Sequence, residues 1–210
     1  MVLDYAARFP FGPRSPAGIV LVDGGITQLD DLPGATWEAT RDRLTPPRLA
    51  GTPLEEFISQ LKVWNAGWWP EDEARQEQIT SIILANFEVD DSERISPHLS
   101  FDHHMQIVRH MWDFKTKERI ERFGCPALAI LARPAPGGSA GENHYLEAKE
   151  YAVARARAIQ PNLQITWMEN TIHDIPLQRP EELAGMITSF ARSLEPAKNA
   201  GIFYSPGATI

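Results

Sequence analysis

The stretch TIHDIPLQRPEELAG (171–185) sets a histidine and an aspartate on a turn, between a strand-like run and a helix that opens with proline and two glutamates. An imidazole placed there can take the proton of a hydroxyl, which is a weak nucleophile until such a base stands beside it. The ring in turn needs a carboxylate to fix its tautomer and balance its charge. His173 is therefore the candidate base. A literal G-x-S-x-G occurs at Gly137-Gly138-Ser139-Ala140-Gly141, and carboxylates stand at Asp23, in VLVDGG, and at Glu142. His98, His103, His104 and His110 cluster in sequence, but only His103 and His110 approach one helical face and no cysteine accompanies them. They read as helix-surface histidines rather than metal ligands. Asp174 reads as a local hydrogen-bonding residue, and Arg179-Pro180-Glu181 as a helix entrance.

The elements that must position these residues follow from patterning. The chain has 210 residues, 43% of them hydrophobic, enough for one sizeable core with an inserted subdomain. AGIVLV (17–22) and PALAILA (126–132) are continuous apolar runs, as parallel strands buried on both faces require. LQITWME (163–169) alternates Leu163, Ile165 and Trp167 with Gln164 and Thr166, a half-covered strand nearer an edge. Tyr145, Ala148, Ala152, Ala156 and Ile159 make a helical stripe between the last two strands. Leu183, Met186, Ile187, Phe190 and Leu194 make another behind Pro180, Glu181 and Glu182. Strand, helix, strand, helix implies a parallel sheet with right-handed crossovers.

The segment from about Asp30 to Phe123 breaks this rhythm. TPLE (52–55) has the capping-box pattern, predicting a helix capped by Thr52 with Pro53 at its first position and an apolar face of Leu54, Phe57, Ile58, Leu61 and Trp64. A second helix is expected from near Pro70, with Ile79, Ile82, Ile83 and Phe87, and a third from near Asp102, with Met105, Val108, Met111 and Trp112. The expectation is an all-helical insertion. Trp37, Trp64, Trp68, Trp69 and Trp112 fall inside it or at its border, and large side chains of this kind bury a small subdomain's core. The sharper alternative is that Trp68 and Trp69 line an apolar pocket over the sheet's carboxyl edge.

Net charge is −8 and the isoelectric point about 5.3, with no basic run, which argues against a nucleic-acid or anionic-membrane surface. The single cysteine, Cys125, permits no intramolecular disulfide and fits a reducing, cytoplasmic setting. No stretch approaches the roughly 18 apolar residues that span a bilayer. EPAKNAGIFYSPGATI after Leu194 has no period and reads as a loose tail.

At this point the residues carry a resemblance. AARFPFGPRSPAGIVLVDGG resembles the part of an α/β-hydrolase that follows the nucleophile: the end of the elbow helix, a proline-containing loop, and the sixth strand with its Asp-Gly-Gly turn. The helical insertion is similar to that family's cap domain, CPALAILARP to the seventh strand, and LQITWMENTIHDIPLQRPEELAGMITSF to the eighth strand, the catalytic-histidine loop and the last helix. The resemblance implies a partial α/β-hydrolase fold, with three parallel strands, flanking helices and a helical cap. Residues 1–29 would begin the core, 30–123 form the cap, 124–194 complete the core and 195–210 form the tail. Five strands and the nucleophile elbow would lie upstream of Met1.

The resemblance also implies roles. Family chemistry runs nucleophile, acid, histidine in chain order. His173 takes the histidine's place. The acid usually follows the seventh strand, where this chain has Arg133-Pro134 and then Glu142, but some members place it after the sixth, where Asp23 stands; Asp23 is preferred, against its reading as a turn residue bonding Gly24-Gly25. Ser139 is set aside, because an elbow turns from a strand straight into a helix and this serine sits in the loop PAPGGSAGEN. The expected activity is hydrolysis of a small, fairly apolar ester or amide without metal or cofactor, the nucleophile lying outside the chain. The alternative is a catalytically silent fragment or binding module. The expected partners are a small-molecule substrate and other copies of the chain through an open sheet edge, with no nucleic acid and no membrane. An in-frame G-x-S-x-G upstream of Met1 separates the two readings.

Overall fold

The computed structural model describes residues 1–32, 34–137 and 140–194; of residues 140–143 it describes the backbone. The chain begins with α1 (Val2–Arg8) and β1 (Ile19–Val22), followed by α2 (Trp37–Leu44), β2 (Thr52–Pro53), α3 (Leu54–Trp64) and α4 (Glu73–Leu84). Next come β3 (Phe87–Val89), β4 (Arg94–Pro97), α5 (Phe101–Asp113) and α6 (Thr116–Ile120). The remainder is β5 (Ala127–Arg133), α7 (Ala140–Ile159), β6 (Leu163–Glu169), α8 (Ile175–Gln178) and α9 (Pro180–Ser193). The described residues divide into two units. The first is Met1–Gly25, Glu118–Ala135 and the described residues from Arg155 on; the second is Ile26–Lys117 with Pro136–Ala154, so α7 straddles the division.

The first unit is built on a parallel sheet in the order β1-β5-β6. The three strands are those that the apolar runs predict, because branched and apolar residues buried on both faces stabilise a central parallel strand. β5 sits in the middle and is buried from Ala127 to Ala132, while β6 exposes Gln164, Thr166 and Glu169, as an edge strand should. One sheet face carries Leu128, Ile130, Ala132 and Met168, which pack with Ile175, Leu183 and Phe190; Val20, Val22, Met186, Ile187 and Leu194 close the margin. The stripe read from the sequence of α9 is therefore the face it turns to the sheet. α1 lies against β1 and buries Leu3, Ala6 and Ala7. Ile19 N–H donates to Pro126 O at 3.0 Å and Asp23 N–H to Ile130 O at 2.8 Å, so the odd-numbered residues of β1 address β5. By alternation, the amides of Val20 and Val22 point to the sheet's other side.

The second unit corrects the all-helical expectation: it contains a three-stranded antiparallel sheet, β2-β4-β3. The segments Phe87–Val89 and Arg94–Pro97 are too short for strand periodicity to stand out beside long helices. What joins them is a side-chain device. Asp90 Oδ1 accepts the N–H groups of Ser92 and Arg94, each at 2.9 Å, and Glu93 takes a left-handed φ of 55°. That turn chemistry, in VDDSER, was the available signal. The same sheet overturns the capping box. Thr52 pairs with Ile95 in β2, and α3 starts at Leu54 after an N-cap, Pro53, that makes no side-chain bond. The true caps are Thr36 for α2, Asp72 for α4 and Ser100 for α5, each accepting a backbone N–H three residues on. Phe57, Leu61 and Ile95 centre this unit's core, with Leu54, Trp69 and Phe87 packed on it.

Candidate active site

Asp23 follows the last residue of β1 and His173 lies in the connection after β6, 150 positions apart in sequence; the parallel sheet brings both to its carboxyl edge. His173 Nδ1 stands 2.8 Å from Asp23 Oδ2. The other carboxylate oxygen, Oδ1, accepts the Ala132 N–H at 2.7 Å. That donor belongs to the ladder between β5 and β1, which ends at Asp23; the side chain substitutes for the next backbone partner. To do so, the residue adopts a left-handed backbone, φ 43°, a region that aspartate tolerates better than most side chains. The acid's side chain is 2% exposed and the histidine's 74%. A buried carboxylate thus anchors an imidazole that faces outward. With the carboxylate ionised, the ring proton resides on Nδ1 and Nε2 is the basic nitrogen.

The loop that carries the imidazole is fixed along its length. Asn170 turns the chain with φ 54°. Thr171, wholly buried, extends the sheet by donating its N–H to Arg133 O at 2.9 Å, and its hydroxyl bonds Glu169 O at 3.1 Å. Ile172 N–H donates to Gln178 Oε1 at 2.8 Å. After His173, Asp174 O accepts from Leu177 and Gln178 as α8 begins, and Ile175 is wholly buried in the sheet's core.

The structure brings together Asp23 and His173. It places a cation, not an acid, at the end of β5: Arg133 lies with Cζ 4.4 Å from the Trp167 ring and Nε 3.4 Å from Glu169 Oε1. Ser139 and the side chain of Glu142 lie outside the described residues. His98, His103 and His110 are exposed and His104 is half-buried. Among the described residues no group of three or more His, Cys, Asp or Glu side chains is placed to hold a metal ion. Among them, too, no helix is long and apolar enough to cross a membrane. Trp69 packs on the second unit's core, its ring 6.0 Å from that of Trp68, whose Nε1 donates to Asn65 Oδ1 at 3.1 Å. Sequence reasoning missed the supports of the histidine loop. The spacing of Gln178 from Ile172 was visible, but nothing in it announced a side chain folding back on the backbone.

No protein-family model matches the sequence. No curated protein sequence matches it either. Solved structures do. E-2-(acetamidomethylene)succinate hydrolase superposes with a TM-score of 0.66 at 16% identity, over 91% of this chain and 62% of that one. A Rickettsia typhi protein classed as a hydrolase gives 0.59 at 10% identity, over 91% and 58%. A carboxylesterase of the thaumarchaeon Nitrososphaera gargenis gives 0.51 at 10% identity, over 92% and 61%. The chain spans about 60% of the length of these structures. The parallel β1-β5-β6 sheet, its flanking helices and this likeness to hydrolases of one architecture identify the chain's fold as the α/β-hydrolase fold, represented in part.

Proposed function

We propose that this chain carries the acid and base of a hydrolytic site for a small, fairly apolar ester or amide. The observation that supports the reading is the 2.8 Å pairing of a buried Asp23 with an exposed His173. In this reading Asp23 holds the Nδ1 proton, leaving His173 Nε2 to accept the proton of an attacking hydroxyl and return it to the leaving group. Asp23 stays ionised throughout and stabilises the imidazolium that forms between the two transfers. The neighbours whose names specify an ester or an amide-bearing substrate suggest the bond class. Neither metal nor cofactor has a part in this chemistry.

The nucleophile is proposed to lie in the part of the fold this chain does not span. Ser139 is a poor alternative because β5 ends at Arg133 and the chain then passes through the turn at Pro136 and Gly137 before α7 begins. An elbow needs the strand to run straight into the serine. The chain alone should therefore hydrolyse short-acyl nitrophenyl esters barely above background. Robust turnover that disappears in Ser139→Ala would overturn this placement. A catalytically silent binding module is the second reading, supported by the chain's 62% span of the E-2-(acetamidomethylene)succinate hydrolase chain. Activity that appears only when the chain is joined to in-frame sequence upstream of Met1 carrying G-x-S-x-G would exclude it. A cytoplasmic setting belongs to the same proposal, supported by a lone cysteine, Cys125, that is buried and unbonded to any other.

A further inference from the structure

His173 is a mostly exposed side chain on a connection, and such a ring keeps one orientation only if the backbone beneath it is fixed. Two side chains at the junction of α8 and α9 reach back to that backbone. Gln178 Oε1 accepts the Ile172 N–H at 2.8 Å, and Arg179 Nη2 lies 3.4 Å from Asn170 O. The first bond is the shorter and adjoins the histidine directly. Ile172 is half-buried, so without Gln178 its N–H would lose a partner that water replaces only in part. Gln178 is itself placed by α8, whose Gln178 N–H donates to Asp174 O at 3.0 Å; Asp174 is the residue next to His173. The residues from Ile172 to Gln178 therefore close a ring, one side of which is a side chain and the other the backbone that bears the imidazole.

We propose that Gln178 is a positioning residue: its amide oxygen, by holding the Ile172 N–H, sets the His173 ring on Asp23 Oδ2. As a contribution to catalysis this rests on the hydrolytic reading above, but the geometric effect does not, and the two can be tested apart. Gln178 touches neither substrate nor reacting atoms in this role. Its requirement is an acceptor at one distance from the helix, so glutamate can replace it. Asparagine, one methylene shorter, cannot reach, and leucine offers no acceptor.

The test uses the 210-residue chain, with 15N-labelled histidine followed by NMR. A His173 ring proton held on Nδ1 by Asp23 gives a one-bond Nδ1–H correlation that exchanges slowly with water; Asp23→Asn identifies it by abolishing it. Gln178→Leu and Gln178→Asn should each speed that exchange about tenfold or more while the circular dichroism and the melting transition stay two-state. Gln178→Glu should keep the slow exchange, a rescue that a general packing role would not give. Unchanged exchange in both Leu and Asn variants, or loss of the signal in Gln178→Glu, would overturn the proposal. If Gln178→Leu does not fold, the Asn and Glu pair alone decides. A joined, active protein in which His173→Ala keeps full turnover would sink the hydrolytic reading and leave these exchange results standing.

Discussion

Asp23 uses one carboxylate for two purposes, closing the end of a parallel ladder through Ala132 and orienting His173. The substitution Asp23→Asn separates them. An amide oxygen can still accept the Ala132 N–H, but the amide NH2 then faces Nδ1 and forces the ring proton onto Nε2, the wrong tautomer for a base. In a joined, active protein this variant should fold and lose about four orders of magnitude in kcat, whereas Glu142→Gln should stay close to the parent. The opposite ranking in a nitrophenyl ester assay would move the acid to the segment after β5. His173→Ala should cost several orders of magnitude with little change in melting temperature, since removing one member disables the unit. The histidine was legible because it sits on a turn between a strand pattern and a helix start, where an imidazole has no packing duty. Its partner was legible only through resemblance. Nothing in VLVDGG distinguishes an acid that faces His173 from a turn residue, and Asp23 does stand at a turn, with a left-handed φ and its carboxylate bonded to Ala132 and His173.

Elements with a long, uniform pattern could be read from the sequence and those built by side-chain bonds could not. β1 and β5 declare themselves as continuous apolar runs, and β6, α7 and α9 by periodicity. The turn of the hairpin of β3 and β4 is closed in part by one Asp90 oxygen, and α3 begins where strand pairing, not capping, ends. A second case is the loop between α1 and β1, which crosses the chain just before β5. A Cβ on Gly124 would stand 2.6 Å from Pro10 O and 2.6 Å from Phe11 Cε1. The ring could swing aside, but the carbonyl cannot. Gly124→Ala should destabilise the protein by about 1–3 kcal/mol in chemical denaturation, and an unchanged midpoint would show that the loop yields. In the second unit, burial raises the Asp30 pKa, but hydrogen bonds from Lys115 at 2.9 Å and Gln28 at 2.5 Å, with the Lys115 charge, outweigh it and leave the pKa lowered. A lowered folded-state pKa gives stability above the unfolded value and loses it as pH falls through the folded one. Lys115→Met should raise the Asp30 titration midpoint by NMR and lower stability at neutral pH, a deficit against the parent that closes as pH falls through the folded-state value; no movement would show that Gln28 alone suffices.

On the scale of the molecule, the parallel sheet of described residues has two edges of different character. β6 presents Gln164, Thr166 and Glu169 on its exposed positions, whereas β1 is Ile19-Val20-Leu21-Val22 without a charge. Uncharged edges of this kind template further strands. We propose that the isolated chain self-associates through β1, the outward N–H groups of Val20 and Val22 donating to backbone carbonyls of a second copy. Light scattering should give a mass above the 23.5 kDa monomer. Val20→Pro, which removes an outward N–H and leaves the ladder to β5 intact, should shift it toward monomer. A sharp monomer with slow amide exchange at Val20 and Val22 would mean that the edge is already occupied. The division of the chain has a different consequence, for how sequences of this kind can vary. Asp23, Ala132, Ile172, His173 and Gln178 all belong to the first unit, and residues 26–117 and 136–154 to the second. None of the hydrogen bonds named for Asp23, Ile172 and His173 has a partner in those two stretches, so changes of length or sequence there remove none of those partners. Sequence there can therefore drift at a pace unrelated to drift around the histidine, and two proteins that share the pair need share no recognisable sequence between its members.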